Sequence, residues 1–162
     1  MTPEQQARQE IDRQLAAAGW IVQAHNAMNL GVGPGVAVRE FSLETGPVDY
    51  LLYVGGKVIG VDEAKPESHA LKGVEIQSRK YVLGVPAHLP AWRRPPPFAY
   101  ESTGAVTQFT NGLEPACAST GEIVVRPDRD GRKSREIPCE GIAARVSLGF
   151  SRKLLRRVVC IR

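Results

Sequence analysis

Asp49, Glu63 and Lys65 stand out by type and spacing. They lie within residues 46–65, on two apolar, β-branched and aromatic runs, 48–54 and 58–64, separated by Gly55, Gly56 and Lys57. Gly-Gly between such runs signals a β-hairpin. A strand that only has to pack has no use for charges at its ends, because an unpaired buried charge costs several kcal/mol. Register decides which charges meet. A two-residue turn at Gly55-Gly56 sets Asp49 opposite Asp62, whereas a three-residue loop from Gly55 to Lys57 sets it opposite Glu63. Side chains alternate along a strand, so Glu63 and Lys65 share one face while Asp62 and Ala64 share the other. The second register gathers Asp49, Glu63 and Lys65 into one cluster and is favoured. Carboxylates on adjacent strands repel unless something positive lies between them, and Mg²⁺ is typically held by one or two carboxylates plus waters and a phosphate. Such a centre suits phosphodiester hydrolysis: the metal polarises a phosphoryl oxygen and acidifies the attacking water, while Lys65 orients the nucleophile or stabilises developing charge. On spacing alone, a surface pair of Lys65 with Glu63 accounts for these residues equally well.

The flanking elements are legible from local chemistry. Residues 3–18 are strong helix formers, with Thr2 as N-cap, Pro3 at the first helical position and Gly19 as a stop. Ala7, Ile11, Leu15 and Ala18 recur at helical spacing and face the core, with Glu10 beside that stripe. A short strand begins at Trp20. Gly31, Gly33 and Gly35 form a G-x-G-x-G pattern, but it precedes a strand instead of opening a helix, so it is a loop and not a phosphate cradle. Residues 35–43 read as a strand joining the hairpin in three antiparallel strands, with Arg39 and Glu40 beside the cluster or as plain edge charges. The period then switches to a helix over 68–84, capped by Ser68 and ended by Gly84, which puts Gln77 and Tyr81 on one side. An irregular connector carries Trp92, Arg93 and Arg94, a basic and aromatic corner able to touch a phosphate backbone. Strands follow at 98–103 and 106–110, and Asn111-Gly112 turns the chain.

Length and composition set bounds. The 162 residues suffice for one domain with a real core, and 43% apolar content is ordinary for a globular chain. No apolar run of membrane-spanning length and no secretory leader is visible, so a cytoplasmic protein without membrane contact is expected. The net charge of +4 is uneven. Residues 1–114 carry 10 Lys+Arg against 12 Asp+Glu, whereas residues 115–162 carry 11 against 5. A basic pI is therefore no evidence that the hairpin region binds a polyanion. Cys117, Cys139 and Cys160 match no zinc spacing and read as free thiols.

Several segments together carry a family resemblance. They are Gly35 to Phe41, Val48 to Val54, Ile59 to Lys65, Gln77-x-x-x-Tyr81, Leu89 to Trp92, Pro97 to Gly104 and Phe109 to Leu113. In this order they resemble the N-terminal nuclease domain of the restriction (R) subunit of type I restriction-modification enzymes, in the PD-(D/E)xK superfamily. The resemblance covers roughly residues 5–114. It implies an α/β restriction-endonuclease-like core, a mixed β-sheet flanked by helices, and Mg²⁺-dependent endonuclease cleavage of double-stranded DNA. It further implies Asp49 and Glu63 as metal-binding acids, Lys65 as catalytic lysine, and the Ala64 backbone carbonyl as a further ligand. Glu10 falls where related nucleases often carry an acid on the first helix. Gln77 and Tyr81 match a motif that positions DNA, and Arg93 and Arg94 are further candidates for DNA contact. Partners would be DNA and the methyltransferase and specificity subunits of a restriction complex; the alternative is a catalytically silent fragment that binds DNA or docks on such a complex.

The departures are equally specific. R subunits continue into an ATP-driven translocase, and no G-x-x-x-x-G-K-[ST] loop exists here, so no ATP site is expected. Residues 1–114 are accordingly read as the nuclease domain and residues 115–162 as a basic tail of unrecognised character. The change at residue 115 is what a truncated or frameshifted gene, or a fused foreign segment, would leave.

Overall fold

The computed structural model describes residues 2–68, 75–113, 120–127 and 133–135, with residues 75–78 and those beyond 113 described by backbone alone. Helix α1 (Pro3–Ala17) opens as its sequence dictates. The Thr2 N–H donates to Gln5 Oε1 at 2.8 Å and the Gln5 N–H to Thr2 Oγ1 at 3.2 Å, a capping box followed by Pro3. The helix stops before Gly19, whose φ of +88° ends it in the left-handed region. Ala7, Ile11 and Leu15 turn inward as the spacing predicts.

Strand β1 (Ile21–Ala24) runs parallel to β2 (Gly35–Leu43). Strands β2, β3 (Gly46–Val54) and β4 (Lys57–Ala64) then form an antiparallel meander. Helix α2 (Glu75–Leu83) carries the chain back to β5 (Phe98–Ser102), parallel to β4, and β6 (Val106–Asn111) returns antiparallel to β5. The strand order follows the chain. The molecule is thus α/β, a mixed sheet with a helix on either face. Ile11 and Leu15 of α1 pack with Tyr50, Leu52 and Tyr100, while Val82 of α2 packs with Leu51, Val61 and Ala99, the residues of opposite parity on the same strands. No helix among the described residues is long and apolar enough to cross a membrane.

The hairpin reaches the expected register by a different route. Val54 pairs with Lys57, so the turn is the two-residue Gly55-Gly56, both with positive φ, as a twist-matched tight turn requires. One residue of β4 then bulges: Tyr53 pairs with Val58, but Leu52 with Gly60, leaving Ile59 extra. From there Tyr50 pairs with Asp62, and the next position puts Glu63 opposite Asp49. The three-residue loop is therefore corrected to a two-residue turn plus a bulge. Gly60 is required for another reason, since a Cβ there would lie 2.2 Å from the Phe98 carbonyl oxygen of β5. Only glycine lets the two parallel strands close at this point.

The sheet does not end at residue 114. The backbone of β7 (Thr120–Pro127) pairs antiparallel with β6, and β8 (Lys133–Arg135) with β7. The division drawn there from composition thus falls between two paired strands. The helix expected over 68–84 is seen from Glu75 to Leu83. The three cysteines lie outside the described residues.

Candidate functional site

Asp49 and Glu63 hold each other by way of the backbone. Asp49 Oδ2 accepts the Ala64 N–H at 2.8 Å, and Glu63 Oε2 accepts the Asp49 N–H at 3.4 Å. Each carboxylate is thus fixed by the strand that carries the other, a geometry that exists only because the bulge sets this register. Lys65 Nζ lies 3.7 Å from Glu63 Oε1. The side chains of Asp49, Glu63 and Lys65 retain 11%, 9% and 16% of their exposure, so the cluster is largely withdrawn from water yet open at its rim. The Ala64 N–H is thus the group on β4 that holds Asp49.

Burial pushes Glu63 above the ordinary carboxylate range, the Asp49 charge adds to the shift, and Lys65 opposes it. Tyr81 of α2 donates a hydrogen bond to Glu63, bringing one of the two expected helix residues to the cluster. The side chain of Gln77 lies outside the described residues. Asp62 occupies the other face, fully buried, with Oδ1 accepting from Ser102 Oγ at 3.0 Å and Ser102 Oγ in turn 3.0 Å from Thr107 Oγ1. Burial pushes Asp62 up to about 8; the Ser102 hydrogen bond opposes this and the charges of Asp49 and Glu63 reinforce it.

Arg8 and Asp12 of α1 are site residues that motif reasoning passes over. Arg8 Nη2 lies 2.5 Å from Asp49 Oδ1 and Nη1 lies 3.3 Å from Glu40 Oε1, so one guanidinium bridges two acids. The Tyr50 hydroxyl lies 3.0 Å from Asp12 Oδ1 and 3.1 Å from the Arg8 carbonyl, tying β3 to the helix, while Arg39 Nη1 stands 3.5 Å from Asp12 Oδ2. Burial and these neighbouring acids raise the Tyr50 hydroxyl, which stays protonated. These residues line a cleft of about 420 Å³ that includes Asp49. The only sequence signal was the spacing of Arg8 and Asp12, four apart on one side of α1.

Glu10 ion-pairs with Arg13 and accepts from Gln14, and it lines a different cleft with Arg13, Glu67 and Thr103. The α1 side chain that reaches Asp49 is Arg8, two residues earlier and so on a different side of the helix. Arg94 donates to the carbonyls of Val85, Pro86, Ala87 and Leu89, so it staples the connector. Arg93 is exposed. Glu101, 3% exposed, is the β5 register partner of Glu63 and brings a further carboxylate beside it on the sheet. Among the described residues, no group of three or more His, Cys, Asp and Glu side chains is arranged to hold a metal ion.

Comparison with family models, with curated proteins and with solved structures yields no match for this chain.

Proposed function

We propose that the chain is a Mg²⁺-dependent DNA endonuclease with a restriction-endonuclease-like core, akin to the nuclease domain of a type I restriction R subunit. The observation that carries this is the reciprocal lock between Asp49 and Glu63 with Lys65 beside it. The order of elements supports it: a three-stranded antiparallel meander, a helix, then a strand parallel to the last strand of the meander. The donor chemistry fits a hard cation. Two carboxylates, close enough for the charge of Asp49 to raise Glu63, leave lone pairs free and suit an ion that keeps several waters. Asp49 and Glu63 would hold Mg²⁺, which when bound would polarise a phosphoryl oxygen and acidify water.

The chain's own residues do the rest. The Ala64 N–H fixes the Asp49 carboxylate, and Tyr81 and Lys65 orient Glu63. The Lys65 ammonium supplies positive charge where negative charge develops on the phosphate. Gln77 and Tyr81 belong to a helix suited to contacting the DNA backbone. Association with methyltransferase and specificity subunits is part of the proposal, and ATP-driven translocation is not.

One observation favours the other reading, a silent DNA-binding or docking fragment: Arg8 already neutralises Asp49. Plasmid nicking with Mg²⁺ or Mn²⁺ separates the two. The parent is expected to nick, with Asp49→Ala and Lys65→Ala each reduced by roughly a hundredfold or more. Equal rates for the parent and both variants would sink the enzyme.

A further inference from the structure

We propose that Arg8 is the resting counter-ion of Asp49 and that Glu40 is the acid that receives it when a divalent cation binds, so that the two set the cation affinity of the site. The inference rests on the nuclease reading in one respect: a divalent ion is the competitor of Arg8.

The geometry of the fork comes first. The guanidinium touches Asp49 through Nη2 at 2.5 Å and Glu40 through Nη1 at 3.3 Å, so it need not find a new partner on leaving Asp49. The two acids differ in setting, since the Glu40 side chain is 75% exposed and that of Asp49 11%. A cation arriving at Asp49 repels the guanidinium in a poorly hydrated place, while at Glu40 water screens the charge. The helix itself can stay still, because the Arg8 carbonyl is bonded to the Tyr50 hydroxyl. Only the side chain has to move.

The backbone of Glu40 gives a second, independent sign. With φ of +52°, it is the one non-glycine among the described residues in the left-handed region. It stands directly across from Asp49 in the β2–β3 alignment, between the pairs Arg39–Tyr50 and Phe41–Val48. A residue with a Cβ is held in that conformation only where its surroundings impose it, and such sites cluster at functional centres. Here the consequence is that Glu40 turns its carboxylate to Arg8.

The test is Mn²⁺ binding to the full chain without DNA, read by water-proton relaxation, with the thermal midpoint of each variant as a check on folding. Arg8→Ala removes the competitor and is expected to bind roughly tenfold tighter than the parent. Glu40→Ala removes the receiving acid and is expected to bind several-fold more weakly. The double variant should behave like Arg8→Ala, since Glu40 acts only through Arg8. Arg8→Lys keeps the charge and should remain near the parent; an affinity as tight as that of Arg8→Ala would overturn the idea. Mn²⁺ bound equally, or more weakly, by Arg8→Ala would also overturn it while leaving the nuclease reading standing. If Arg8→Ala melts early, unchanged affinity in Glu40→Ala overturns it alone. Absence of binding in the parent and in every variant, or binding undiminished in Asp49→Asn, would instead bring down the nuclease reading itself.

Discussion

Asp62 is a carboxylate fully buried in the sheet. One carboxylate oxygen is bonded to Ser102, and the other has no hydrogen-bond partner among the described residues. Its proton affinity is raised to about 8 from an ordinary 3.8, mainly by burial. The folded chain therefore binds more protons than the unfolded chain between those values, so this group's contribution to stability is full below 3.8 and is lost as pH rises through about 8. Glu63 is shifted in the same direction. Urea midpoints should thus fall between about pH 5 and about pH 8, and Asp62→Asn should flatten the fall. Parallel curves for parent and variant would locate the effect elsewhere. At this scale the sequence was half legible. Asp49, Glu63 and Lys65 announced themselves as charges interrupting apolar runs. Glu40 is legible only as a charge either beside the cluster or on a plain strand, and Arg8 is not legible at all, because a polar residue on a helix or strand carries no local mark of the distant carboxylate it will meet.

Among the elements, the meander and helix α1 followed from period and punctuation, since caps, alternation and Gly-Gly act over a few residues. The bulge at Ile59 arises from how β4 fits between β3 and β5, and its one local sign is the neighbouring glycine, which inside a strand marks a bulge or a close backbone approach. Gly60 belongs to the same fit. With a Cβ 2.2 Å from a backbone carbonyl, Gly60→Ala forces β4 and β5 apart and is expected to cost about 3 kcal/mol. Chemical denaturation measures this, and a loss below about 1 kcal/mol would show that the strands yield easily. Because β4 carries Glu63 and leads directly into Lys65, nicking should fall with stability.

For the whole molecule, charge and architecture divide at different points. Composition changes at residue 115, but the sheet continues through β7 and β8 to Arg135. Backbone pairing is indifferent to the motifs by which that segment was judged foreign. Residues 128–162 hold ten Lys+Arg against four Asp+Glu, so they carry the positive excess. Truncation after Pro127 should weaken DNA binding and flatten its dependence on salt, and since it removes only the three-residue β8 from β7 it should lower the thermal midpoint less than a cut after Glu114 does. Truncation after Glu114 should also lower the midpoint, because it strips the partner from β6 and exposes a strand edge. Unchanged binding after the first cut would confine DNA contact to the core.

The extra residue at Ile59 also divides the hairpin into a tip and a base with separate histories. Beyond it, from the pair of Leu52 with Gly60 onward, alignment is reset, and the spacing of the two acids no longer depends on how the chain turns at Gly55-Gly56. The tip is thereby a permissive position. Length drift in evolution, or a label inserted between the two glycines, would be absorbed by the outer pairs before it reached the carboxylates.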